Sequence, residues 1–329
     1  MPRITGEFAL IERYLAPLST GSEGAFGLKN DAAVLDMAAG ERLVVTVDCM
    51  VADRHFLADD PPDSVGQKLL RVSLSDLAAM GAEPLGYLLS ASWPPDTQEA
   101  WVAAFCEGLA RDQRLFSIAL LGGDTTATPG PMTLSLTAFG RVQGNEVLDR
   151  ASLRPGDDLY LSGTLGDAFL GLQVLQGRID GLSPAAREAL VARYRCPEPR
   201  VALGRALLAD GLAKSALDVS DGLAADLGHL LEASGVGAEL RLDAMPLSAA
   251  AEEGLARLGA APEILVSGGD DYELLFAAAP DRRAKIARLS ETLSLRLTRI
   301  GRVKAEAGLT VLDAASRPLS LGSAGWTHF

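Results

Sequence analysis

Four acidic positions in this 329-residue chain share a local grammar: a short apolar run, then Ser, Thr or Gly, then Asp. They are Thr46-Val47-Asp48, Gly122-Gly123-Asp124, Asp218-Val219-Ser220-Asp221-Gly222 and Ser267-Gly268-Gly269-Asp270-Asp271. Residues 115–120, Leu-Phe-Ser-Ile-Ala-Leu, are short and apolar enough for a buried strand ahead of Gly122. Two glycines where that strand is expected to end let backbone N–H groups approach an anion closely. Asp124 then brings the wrong charge for a bare phosphate. A divalent cation between carboxylate and phosphate removes the conflict, and magnesium commonly joins the two. One such Asp is an ordinary turn or cap residue; four at expected strand ends suggest a shared site.

Asp31 and Asp76 extend the set. Asp31 stands where a Gly/Ser-rich loop enters an apolar stretch, as a ligand or as a loop cap. Asp76 lies among small apolar neighbours near the end of an expected helix, where a carboxylate opposes the helix dipole. That placement hints at a cation, with i,i+4 pairing as the alternative. Asp221 could equally be the N-cap of the helix that follows it, and His55, in a polar loop, could simply be solvated. Asp31, Asp48, Asp76, Asp124, Asp218 and Asp221 are spread over about 190 positions, so only the fold could gather them. Like charges ~4 Å apart cost on the order of 4 kcal/mol at an effective dielectric of ~20. Several such pairs would exceed a domain's typical stability of ~5–15 kcal/mol. A cluster would therefore need metal ions or protonated members. All-oxygen ligands favour magnesium or manganese over zinc, and several such ions beside phosphate-oriented glycines suggest phosphoryl transfer. No Gly-x-x-x-x-Gly-Lys-Ser/Thr occurs, which excludes a P-loop enzyme.

The elements that would position these residues alternate in type. Helices are expected over 6–15, 63–80, 96–113, 184–195, 199–209 and 223–233. Strands are expected over 43–47, 85–93, 132–138, 159–161, 237–242, 264–266, 272–276, 295–303 and 309–311. A turn at Pro155-Gly156-Asp157-Asp158 marks a junction, giving domains 1–149 and 150–329. The fold class is α/β in two domains.

Composition narrows the function. Hydrophobic residues make 48% and charged residues 22%, an ordinary globular balance, and the net charge of −13 argues against nucleic acid and anionic membrane surfaces. No apolar run approaches the ~20 residues of a bilayer span. Cys49, Cys106 and Cys196 are far apart, without Cys-x-x-Cys spacing, and the first residues lack an apolar signal core; a cytoplasmic location is expected.

Longer motifs then carry a resemblance. Gly6-Glu7-Phe8, Asn30-Asp31-Ala32-Ala33, Thr46-Val47-Asp48, His55-Phe56, Leu74-Ser75-Asp76-Leu77-Ala78-Ala79-Met80-Gly81, Gly122-Gly123-Asp124-Thr125-Thr126, Asp218-Val219-Ser220-Asp221-Gly222-Leu223, Ser267-Gly268-Gly269-Asp270-Asp271-Tyr272-Glu273-Leu274 and the tail from Trp326 run nearly end to end. The chain resembles the thiamine-monophosphate kinase family, within the superfamily of aminoimidazole ribonucleotide synthetase and selenophosphate synthetase. The resemblance implies ATP-dependent phosphorylation of thiamine monophosphate to thiamine diphosphate by direct in-line transfer. It implies a homodimer in which N-terminal α/β domains pair their sheets into a barrel, with a C-terminal α/β domain alongside. It implies several magnesium ions held by Asp31, Thr46, Val47 (through its backbone), Asp48, Asp76, Asp124, Asp218 and Asp221. Gly123, Asp124, Arg150 and Ser220 would contact ATP, and His55, Asp270 and Trp326 the thiamine phosphate. Asp124, Asp76 and Asp221 would be the catalytic set. The chain departs from the family at Asn30, where a second Asp is usual, at Lys29, where Gly is common, and at Asp270, where Glu is usual. The rival readings are a sister ATP-using synthetase and a silent nucleotide-binding protein. Selenophosphate synthetase is disfavoured because no reactive Cys or Lys sits in a glycine-rich N-terminal segment.

Overall fold

The computed structural model describes residues 7–30 and 32–319, so Asp31 and Trp326 lie outside the described residues. The chain forms two compact units, Met1–Leu77 with Ala82–Asn145, and Ala78–Gly81 with Glu146–Phe329.

The first unit begins with a short helix α1 (Glu7–Leu10), continued by tighter and wider helical turns in place of the single helix expected over 6–15. Strand β1 (Glu41–Val51) leads to helix α2 (Pro62–Ala79) and strand β2 (Glu83–Trp93). Helix α3 (Glu99–Phe116) is the crossover to β3 (Ala119–Ala127), which lies parallel to β2. Strand β4 (Thr133–Gln143) inserts antiparallel between β1 and β2, giving the order β1-β4-β2-β3. Alternation on β4 is clean: Leu134, Leu136 and Ala138 are buried, while Ser135, Thr137 and Phe139 point to the other face.

Two expectations change here. Leu115 and Phe116 are the last turn of α3, because Phe116 packs beneath the Arg71 guanidinium at 5.7 Å; Ser117 closes the helix in the left-handed region at φ 53°. Gly122-Gly123-Asp124 does not follow a strand but lies within β3. A Cβ on Gly123 would stand 1.9 Å from the Leu89 carbonyl oxygen, so close approach to β2 demands glycine there. Asp48 likewise lies inside β1, three residues before its end.

The second unit carries β5 (Asp158–Ser162), α4 (Asp167–Leu175), α5 (Pro184–Arg195), α6 (Val201–Ala209), β6 (Ser215–Asp218), α7 (Leu223–Ser234) and β7 (Gly237–Arg241). It continues with α8 (Ala249–Leu258), α9 (Glu263–Val266), β8 (Leu274–Ala278), α10 (Arg283–Leu293), β9 (Leu297–Lys304), β10 (Gly308–Leu312) and β11 (Pro318–Leu319). Its sheet has the order β11-β10-β7-β9-β5-β8-β6, antiparallel except for β10 beside β7. Leu159 and Leu161 enter a core shared with α4, α5, α7 and α8, while Tyr160 enters another with α6 and α10. Burial on both faces explains the unbroken apolar runs of β5 and β8. Tyr160 stacks on Phe276 across that pair at 5.2 Å. The strand expected over 264–266 is instead the helical turn α9, as an apolar triplet has no period to separate the two states.

Candidate active site

Asp48 and Asp76 come together in the first unit. Asp48 on β1 points to the face covered by α2, where Ser73 Oγ donates to its Oδ2 at 2.7 Å. Thr46, two residues earlier and therefore on the same face, donates its hydroxyl to Asp76 Oδ2. Burial and the neighbouring Asp76 charge push the Asp48 carboxyl up to about 6, with the Ser73 hydroxyl pulling the other way. Two carboxylates and two hydroxyls make an all-oxygen donor set, which suits a hard divalent cation. Asp76 gains its place from the last turns of α2, where the helix dipole opposes its charge and a cation would offset both.

Asp124 is on the other face of the same sheet. The register sets Asp48 beside Leu136, and Leu136 beside Leu89; Asp124 lies beside Ser90, and Ser90 beside Ser135. The sheet therefore separates Asp124 from the Asp48–Asp76 pair. Asp124 is exposed on edge strand β3, its Oδ1 accepting from the Thr125 N–H at 2.9 Å. It lines a cavity of about 640 Å³ together with Gly123, Ser90, Ser135, Thr137 and Asn30. Val47 shares this open face and is 62% exposed. His55 sits in the turn after β1 and is not simply solvated: its Nδ1 accepts from the Val51 N–H at 3.0 Å, and buried Lys68 donates to its carbonyl at 3.0 Å.

In the second unit two loops interlock through their backbones. Tyr272 N–H donates to the Val219 carbonyl at 2.7 Å, Val219 N–H to the Glu273 carbonyl at 2.8 Å, and Asp270 N–H to the Ser220 carbonyl at 2.8 Å. A Cβ on Gly269 would meet the Ser220 oxygen at 2.5 Å, which fixes glycine at that crossing. Asp218, Ser220, Asp221 and Asp270 are thereby brought onto adjoining loops. Asp218 is buried at the end of β6, and the other three are half-buried. Arg150 is exposed, and its carbonyl accepts from Ser234 Oγ at 3.1 Å. Among the described residues no group of three or more His, Cys, Asp and Glu side chains forms a metal cradle.

Three residues that sequence reasoning passed over hold these loops. Asp226, buried in the first turns of α7, accepts from the amides of Ser220, Asp221 and Gly222 at 2.9, 3.1 and 3.1 Å. Asp226 thus does the capping, and Asp221 is not the N-cap; Gly222 holds that position. Asp271 accepts from the amides of Gly166 and Ala168 at the head of α4, at 2.6 and 3.2 Å. Glu273, wholly buried, takes Arg193 and Arg200 on its carboxylate with the Ser162 hydroxyl. The available signal was the density of acids at positions 270, 271 and 273 in an otherwise apolar stretch.

The sequence comparisons agree with this architecture. Residues 29–142 match the model of AIR synthase related protein, N-terminal domain, and residues 154–314 that of its C-terminal domain. A thiamine-monophosphate kinase of Caulobacter vibrioides is 42% identical over 98% of this chain and 90% of its own length. The chain belongs to the thiamine-monophosphate kinase family. A crystal structure of thiamine-monophosphate kinase from Stenotrophomonas maltophilia superposes with a TM-score of 0.84 at 43% identity, covering 93% of this chain and 96% of that one. A structure of AaThiL complexed with AMPPCP and TMP gives 0.79 at 30% identity, covering 98% and 97%. No helix among the described residues is long and apolar enough to cross a membrane.

The buried acids give the fold a pH dependence. Burial, with the Asp221 charge adding to it, raises Asp226 to about 7, and burial raises Asp271 to about 8, against the amide hydrogen bonds each accepts. Carboxyls raised in the folded state contribute stability that is full below their unfolded pKa near 3.8 and is lost as pH climbs through the folded values. The urea midpoint is expected to be lower at about pH 9 than at about pH 6, and Asp271→Asn should flatten that slope. A midpoint that rises over this interval would contradict the assignment.

Proposed function

We propose that the chain phosphorylates thiamine monophosphate with ATP, giving thiamine diphosphate and ADP. The observation that carries this reading is end-to-end similarity to thiamine-monophosphate kinases, 42% over 98% of the chain in one case. A phosphate oxygen of the acceptor attacks the γ-phosphorus in line, and the bond from that phosphorus to the ADP oxygen breaks. Catalysis is then mostly positioning and charge neutralisation. Magnesium, when bound, would supply the neutralising charge, held by Asp31, Thr46, the Val47 backbone, Asp48, Asp76, Asp124, Asp218 and Asp221. Gly123, Asp124, Arg150 and Ser220 would contact ATP, and His55, Asp270 and Trp326 the thiamine phosphate. Asp124, Asp76 and Asp221 would be the catalytic carboxylates. ADP release measured with and without thiamine monophosphate tests the reading: release should depend on the acceptor, and equal rates in both would refute it.

The same reading includes a homodimer built on the first unit's sheet, with domains 1–149 and 150–329. Strand β1 is an edge of that sheet, and Leu43, Val45 and Val47 on its open face are 44%, 53% and 62% exposed. A long edge strand with an apolar face is a pairing site unless something covers it. A second copy of the chain is the proposed cover. Val45→Glu should therefore turn a dimer into a monomer in sedimentation equilibrium; a variant that stays dimeric places the interface elsewhere.

A further inference from the structure

Three successive backbone N–H groups pointing at one place make an anion-binding nest, the device by which many loops grip phosphate. The loop at Ser220, Asp221 and Gly222 has that form, aided by Gly222 at φ 124°, in the region that favours glycine. Its occupant is internal. The Asp226 carboxylate takes all three amides through one oxygen, Oδ2, from within the first turns of α7. Asp226 is buried, so it cannot itself reach a nucleotide or a cation from solvent.

We propose that Asp226 is a positioning residue for phosphoryl transfer. By filling the nest it denies those amides to substrate phosphate and fixes the loop so that Ser220 and Asp221 serve a cation-bound nucleotide through their side chains. This rests on the kinase reading above. The arrangement explains why a loop with glycine and amides in phosphate-binding form carries one carboxylate within it, at Asp221, and another just before it, at Asp218. With all three amides already taken by Asp226 Oδ2, the nest has no donor left for a phosphate, which can approach beside Asp218 and Asp221 only with its cation. The backbone clasp from the other loop, at Val219 and Ser220, holds one side of the segment, and Asp226 holds the other.

The test uses Asp226→Asn, nearly the same size and with an acceptor oxygen kept, and Asp226→Ala. Three readouts are taken on the full chain: Mn²⁺ affinity by electron paramagnetic resonance with AMPPCP present, amide hydrogen exchange over 218–222, and steady-state kinetics. Residues that orient metal ligands typically change metal affinity or activity 10- to 100-fold when replaced, so Asp226→Asn should weaken Mn²⁺ binding by about that factor. Exchange at the three amides should accelerate, and KM for thiamine monophosphate should not move. A merely structural role predicts a lower Tm with unchanged Mn²⁺ affinity and kcat, and that pattern overturns the proposal; so does the unfolding of both variants. Wild-type protein that makes no thiamine diphosphate overturns the kinase reading. Wild-type protein that makes it, beside an Asp226→Asn variant of unchanged Mn²⁺ affinity, overturns the positioning role alone.

Discussion

Asp124→Asn is expected to lower kcat by about 10²- to 10³-fold while leaving the fold intact. The magnitude is that of removing one group aimed at transition-state charge, roughly 2.7–4 kcal/mol. The fold should be untouched because Asp124 is exposed on β3 and its carboxylate accepts a hydrogen bond from the Thr125 N–H, which Asn can also accept. Asn keeps the size and one oxygen but not the charge, so only an electrostatic role is removed. That separates it from Gly123→Ala, which would drive a Cβ into the Leu89 carbonyl and disturb the sheet itself. Circular dichroism and Tm should match the wild type while turnover falls. Near-normal kcat at limiting magnesium would show that Asp124 does not serve the reaction.

What the sequence revealed and what it concealed divide along physical lines. Helix α2 and the alternation of β4 are local patterns, and they were legible because periodicity reports burial directly. The place of Gly122-Gly123-Asp124 was not, since glycines read as a strand end until the approach of the Leu89 carbonyl explains them within a strand. The face on which each carboxylate lies depends on register with other strands. Asp48 and Asp124 look alike as motifs, yet β4 and β2 place them on opposite sides of one sheet. The supporting acids were hidden for another reason. Asp226, Asp271 and Glu273 resemble surface residues in a list of letters, and only three-dimensional burial shows that each satisfies backbone amides or arginines. Motif resemblance located the residues proposed to meet ligands; the structure adds the residues that hold those in place.

Glu273→Ala should be the most destabilising of the single substitutions considered, by about 3–5 kcal/mol, the usual cost of removing one partner from a buried ion pair. Glu273 has no exposed surface, and its two oxygens are shared among Arg193 Nη2 at 2.6 Å, Arg200 Nε at 2.6 Å, the Arg200 Nη2 and the Ser162 hydroxyl at 2.5 Å. Ser162 in turn accepts from the Leu274 N–H at 2.8 Å, so the carboxylate ties β5 to β8. Gly163 leaves the space it needs, since a Cβ there would stand 2.0 Å from Glu273 Oε1. Alanine would take the buried carboxylate from two guanidinium groups whose side chains are only 17% and 13% exposed, leaving them the more exposed Glu198, at 3.3 Å from Arg193 and 2.8 Å from Arg200. For a unit of this size 1 kcal/mol moves Tm by roughly 2–4 °C, so the loss should be about 6–20 °C. Glu273→Gln, which keeps hydrogen-bonding oxygen and volume but not charge, should fall between Ala and wild type. Because the Glu273 carbonyl also accepts the Val219 N–H, loosening this residue should slacken the loop carrying Asp218, Ser220 and Asp221. Activity measured well below the lowered Tm should therefore drop as well. If Glu273→Ala melts with the wild type, the arginines have other adequate partners and the carboxylate is not what holds the loop.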